Sequence, residues 1–119
     1  MSDETDLLFA RSEPSVPATY AALMSAVRQF GDIIEEPKKT SIHLVAGSGF
    51  AGVHPKRAKL RLNIRTAGAI ASPRVRKTEQ VSANRFHNEV DLAGPSDVDA
   101  ELVGWLRQAF DLGAPKGGA

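Results

Sequence analysis

TSIHLVAGSGFAGVHPKRAKLRLNIR, residues 40–65, decides the fold. Its last seven residues, Lys59-Leu60-Arg61-Leu62-Asn63-Ile64-Arg65, alternate polar and apolar throughout. That is the period of a strand with one face buried and one wet. Leu60, Leu62 and Ile64 go to the core, and Lys59, Arg61, Asn63 and Arg65 go outward. Upstream, Gly47-Ser48 serves as a two-residue hairpin turn, because glycine supplies the positive φ such turns need. That register sets Leu44 opposite Ala51 and Ile42 opposite Val53 on one face. His43, Val45, Phe50 and His54 then fall on the other. Pro55-Lys56-Arg57-Ala58 makes the second turn, where proline costs no ladder hydrogen bond. The stretch reads as an antiparallel meander.

Working outward, two helical patterns flank it. Tyr20, Leu23, Met24, Val27 and Phe30 recur at three- and four-residue spacing, the stripe of an amphipathic helix. Pro17 is placed as its first residue and Gly31 as its left-handed cap. After Gly94-Pro95, Ser96 is the expected N-cap of a second helix to Asp111, with Asp97 and Asp99 favoured in its first turn by the helix dipole. Val98, Leu102, Trp105 and Ala109, flanked by Leu106 and Phe110, give it a broad apolar face. Asp3 to Arg11 forms a short helix contributing Leu7, Leu8 and Phe9. Residues 32–36 form an edge segment ended by Pro37. Glu35 and Glu36 there are neighbours on a strand, so they face opposite ways and are not a paired acid and base. Residues 74–81 make another strand, with Val75 and Val81 on one face and Arg74, Arg76 and Gln80 on the other. In the last strand Phe86, Asn88, Val90 and Leu92 alternate with Arg85, His87, Glu89 and Asp91. The fold expected is α+β: an antiparallel sheet of five or six strands with two main helices, 17–30 and 96–111, packed on one face.

A chain of 119 residues is the size of one domain, with an ordered core over about 5–112 and a flexible tail, GAPKGGA, at 113–119. It has no cysteine, which excludes disulfides and thiolate metal sites. No apolar run is long enough to span a bilayer and no secretory signal opens the chain. The expected setting is cytoplasmic, with no membrane partner.

The net charge of +1 hides an uneven distribution. Residues 1–37 carry −5, residues 38–85 carry +10, and residues 86–119 carry −4. Such sorting either presents a basic surface to an acidic partner or neutralises itself across neighbouring strands. On the first alternative, Lys59, Arg61, Arg65 and Arg85 project from one sheet face and form a surface for nucleic acid or another polyanion. Phe50 is the one aromatic available on that face for stacking bases. Val45 and Phe50, exposed together, would instead fit a homodimer. On the second alternative Glu35, Glu36, Glu79, Glu89 and Asp91 pair with the arginines.

Chemistry beyond charge is sparse. His43 and His54 share a face only diagonally, with no carboxylate close in sequence, so ordinary half-buried histidines explain them better than a metal. Gly47-Ser48-Gly49 is not followed by a helix, which removes the phosphate-loop reading. No nucleophile elbow or HExxH motif occurs, so no catalytic residue and no cofactor are assigned. An enzyme remains open only through catalytic groups dispersed over several strands.

PKKTSIHL, FAGVHP, LRLNI and DVDAELVGWLRQAFD, preceded by TYAALMSAVRQFG, resemble the bacterial domain-of-unknown-function family 5655. The resemblance runs from about Phe9 to Asp111. Its most specific pieces are Phe50-Ala51-Gly52-Val53 and Asp99 through Phe110. It implies a small α+β domain, found alone or joined to others, sometimes beside nuclease-like ones. It brings no catalytic residue. Members often show a histidine in the last strand, at the position that aligns with Asn88, next to His87. The function expected is a non-catalytic binding or accessory module, with weak nucleic-acid or polyanion binding as the alternative.

Overall fold

The computed structural model describes residues 3–113; past Gly113 the predicted tail lies outside the described residues. Two helices, α1 (Asp3–Leu8) and α2 (Ser15–Val27), precede four strands: β1 (Ile34–Pro37), β2 (Ile42–Ala46), β3 (Ser48–Pro55) and β4 (Leu60–Thr66). Then come β5 (Val75–Ser82), β6 (Arg85–Leu92), a 3-10 turn (Pro95–Asp97) and α3 (Ala100–Gly113). The strands form one antiparallel sheet in the order β1-β2-β3-β4-β6-β5. The α+β reading holds.

Alternation in β4 is realised in full: Leu60, Leu62, Ile64 and Thr66 are buried, and Arg61, Asn63 and Arg65 are half-exposed. The β2–β3 hairpin keeps the expected register from Ile42↔Val53 to Leu44↔Ala51. It then shifts by one residue, to Val45↔Gly49 and Ala46↔Ser48, around Gly47 at φ 78°. The extra residue on β3 is Phe50. This β-bulge turns its ring to the side opposite the one strict alternation gives. Phe50 is fully buried, edge-on to Phe110 with ring centroids 5.7 Å apart. The expectation of an exposed Phe50 is overturned.

Leu102, Leu106 and Ala109 of α3 are fully buried, the 4-3 spacing of one helical stripe, and α3 packs across β2, β3 and β4. Helix α2 adds Val16, Tyr20, Leu23, Met24 and Val27 to the same core. Both helix starts differ from expectation. Asp99, not Ser96, caps α3: its Oδ1 accepts the Leu102 N–H at 3.0 Å. An aspartate at N-cap reaches N3 in this way, and Ser96 is left in the 3-10 turn. Helix α2 begins at Ser15 and ends at Val27, so Phe30 and Gly31 lie beyond it. Trp105 is only half-buried, at the flank of the stripe, with the Arg74 guanidinium 5.7 Å from its ring centroid. Arg74 also meets Asp99 at 2.9 Å and Glu101 at 3.1 Å, tying the start of β5 to that of α3.

Tyr20 and Asn88 bring polar groups into the covered face, and both are satisfied. The buried Tyr20 hydroxyl donates to Glu35, whose other oxygen takes Arg28 at 2.7 Å. Burial first, and then the Glu35 contact, hold that phenol well above its usual pKa. Asn88, fully buried, donates to the Ile64 carbonyl at 3.1 Å and to Thr66 Oγ1 at 2.8 Å. Its Oδ1 accepts from the Ile70 N–H at 3.1 Å and from Thr78 Oγ1 at 3.3 Å. One amide thus joins β4, the loop after it, β5 and β6.

At β5 the expected alternation fails. Bulges fall between Val75 and Lys77 and between Gln80 and Ser82. Val81 is 52% exposed, while Val75 packs against the core. Charged side chains and bulges are the usual guards of an edge strand.

Candidate functional site on the open sheet face

The helices cover one face of the sheet and leave the other open. Register alone places its side chains. One row runs Glu36, His43, Gly52, Asn63, Glu89 across β1, β2, β3, β4 and β6. The next row on one side holds His54, Arg61 and Asp91, and on the other Arg65, His87 and Glu79. Gly52 leaves the centre of this array without a side chain. A hollow of about 250 Å³ results, floored by residues 49–52 and walled by His43, His54, Asn63, Arg65 and His87.

Gly52 is not a conformational necessity, because its φ lies outside the left-handed region that Gly31 and Gly47 occupy. A Cβ there would meet Asn63 Cβ and His54 Nε2 at 3.8 Å, ordinary contact. A glycine inside a strand weakens it and often marks close approach of a ligand.

The four cations singled out from the sequence divide into two pairs. Lys59 Nζ lies 3.1 Å from Asp91, and Arg61 Nε lies 2.8 Å from Asp91 and 3.1 Å from Glu89. Arg76 adds a 2.8 Å contact to Glu89. The hydrogen bond from Arg61, followed by that from Lys59, holds the Asp91 carboxyl below its ordinary pKa against the opposing effect of burial. Arg65 and Arg85 meet no carboxylate among the described residues. Arg65 is half-buried and its Nη2 donates to Ser48 Oγ at 2.9 Å. Burial first, and then the Arg85 charge, make its guanidinium less comfortable than one in water.

The three imidazoles line the same hollow. His54 sits diagonally from His43, which faces Gly52, as the hairpin register requires. Burial, and next the Lys56 charge, lower the His54 pKa, with Glu89 opposing. His87 joins them because β6 pairs with β4, placing it opposite Arg65. Outward parity in the sequence allowed Arg65 and His87 to share a face if their strands lay in one sheet, and the β4–β6 pairing sets them directly opposite. Among the described residues, no group of three or more His, Asp or Glu is arranged to hold a metal ion. Asn88, at the position where the resemblance places a histidine, faces the helices rather than the hollow.

No helix among the described residues is long and apolar enough to cross a membrane. No curated protein and no solved structure matches the chain. The sequence model of one family matches residues 5–113, nearly the whole described chain, and the protein belongs to that family, described as Domain of unknown function (DUF5655).

Proposed function

We propose that this domain is a non-catalytic binding module that takes an anionic group into the hollow on its open sheet face. The observation carrying this reading is Arg65, a half-buried guanidinium on the wall of a hollow, with no carboxylate partner among the described residues. Withdrawing a cation from water without an opposite charge is costly, and a bound anion removes that cost. Arg85 adds a second unpaired positive charge close enough to influence Arg65. Lys59 and Arg61 lend less to the surface, since Asp91 and Glu89 already neutralise them. An extended nucleic-acid track and a dimer through Val45 and Phe50 both lose support, because Phe50 is buried in the core.

The test is titration calorimetry with sulfate, alongside fluorescence anisotropy with a labelled oligonucleotide at low salt. Sulfate binding with a dissociation constant on the order of 1 mM or tighter (about −4 kcal/mol) is expected. Gly52→Val fills the hollow without touching a charge, and valine suits a strand, so the variant folds and loses the ligand. Tight oligonucleotide binding that survives Gly52→Val overturns the reading in favour of a polyanion surface.

A further inference from the structure

We infer that the hollow selects a doubly charged tetrahedral group, the terminal phosphate of a small phosphomonoester, and draws a proton onto its imidazoles when that group binds. This inference rests on the binding reading above and names the ligand class for the same site.

Counting charges at the hollow leads there. Among the described residues, its one permanent cation is Arg65 and no carboxylate lines it. Arg85 is exposed and outside the lining, and acts on that guanidinium only through its charge. A phosphodiester, with a single charge, is matched by Arg65 alone. A phosphomonoester carries nearly two charges at neutral pH, and the wall must supply the second. The side chains on the wall able to gain a positive charge are the imidazoles of His43, His54 and His87. None of the three imidazoles makes a hydrogen bond to another described residue, and neither does the Asn63 side-chain amide beside them. The wall therefore offers unengaged donors to an acceptor-rich group.

The surroundings of each imidazole fix the direction of the proton's movement. His54 faces Arg61 across β3–β4 and feels Lys56, Glu89 and His43. His87 faces Arg65 on β4 and Glu79 on β5, with Arg85 and Glu89 two residues away on its own strand. His43 faces Glu36, whose carboxylate lies 3.7 Å from Lys38. At His54 burial, and then the cationic neighbours, disfavour the charged ring when the hollow is empty. A dianion placed within about 4–6 Å reverses that balance and favours imidazolium. Proton uptake on binding, strengthening affinity as pH falls, is the signature.

Calorimetry at about pH 7, in two buffers of different ionisation heat, tests this with phenyl phosphate, sulfate and dimethyl phosphate. Phenyl phosphate and sulfate are expected to bind at least about tenfold more tightly than dimethyl phosphate, the gain of roughly one extra ion pair. Sulfate keeps its charge fixed, so its affinity reports the protein's protons alone. It is expected to rise by up to about tenfold per pH unit lowered, the limit for one linked proton. His43→Gln, His54→Gln and His87→Gln together abolish the uptake, with melting temperature as the control for folding. Equal affinity for the diester, or binding without proton uptake, overturns the dianion inference and leaves the binding reading standing. If none of the three anions binds the folded protein, both fall.

Discussion

Arg61 and Arg65 leave the same strand on the same side, with only Asn63 between them on that face, and meet opposite electrostatic surroundings. Arg61 is held by Asp91 and Glu89, whereas Arg65 finds a serine and the distant charge of Arg85. The cause is β6, whose open-face residues run Arg85, His87, Glu89, Asp91. Charge changes sign along that one strand, and the β4–β6 register lays its acidic half against Arg61 and its basic half against Arg65. The +10 of the middle segment therefore says little about the surface presented. Which cation is free depends on its cross-strand neighbour.

The largest effect tests what fixes that register. Asn88→Ala leaves the Ile70 N–H and the Ile64 carbonyl short of the bonds they now make to this buried side chain. It is expected to cost about 2–3 kcal/mol in urea unfolding; a loss under about 1 kcal/mol denies Asn88 that role. Next, Arg61→Gln should cost about 1 kcal/mol, with most of it shared with Asp91→Asn in a double-mutant cycle. Additive single effects would mean the pair contributes nothing.

The same pair has a pH signature. Asp91's folded pKa lies below its ordinary value of 3.8, so its contribution to stability is fully present above that value. It is lost as pH falls from 3.8 towards the folded pKa. Melting temperatures measured between pH 5 and 2 should fall less in Asp91→Asn than in the parent. The smallest effect belongs to the other arginine. Arg65→Gln should change stability by no more than about 0.5 kcal/mol while removing sulfate binding. A large destabilisation would make Arg65 a structural residue and erase the contrast with Arg61.

Much of the fold was legible because it rests on local periodicity. The alternation of β4 and β6 and the stripes of α2 and α3 each follow from neighbouring residues. Phe50 was misplaced because a bulge inserts one residue without altering composition, and every side chain beyond it changes face. Asp99 displaced Ser96 as cap because both residues have the chemistry, and the choice falls to tertiary contacts such as that with Arg74. The hollow was legible only in part, through the hairpin register that sets Gly52 opposite His43. It needs Gly52 between His43 and Asn63, and it needs β6 rather than β5 beside β4. Both are cross-strand facts that spacing within a strand does not encode.

That strand order also bears on when the site comes into being. Ala46 pairs with Ser48 across a tight turn, whereas Leu60 must find Leu92. Contacts distant in sequence pay a larger loop-closure entropy and form late. The hairpins from β2 to β4 have their partners nearby, as β5 and β6 have each other, whereas the β4–β6 pairing spans the longest separation and is expected to form after them. The seam between these two units runs through the hollow, with Asn63 and Arg65 on one side and His87 on the other. Binding competence is therefore expected to arrive with the docking of β6 and not with the β2–β4 hairpins. Refolding in which sulfate binds before the β6 amides gain protection from hydrogen exchange would reverse that order.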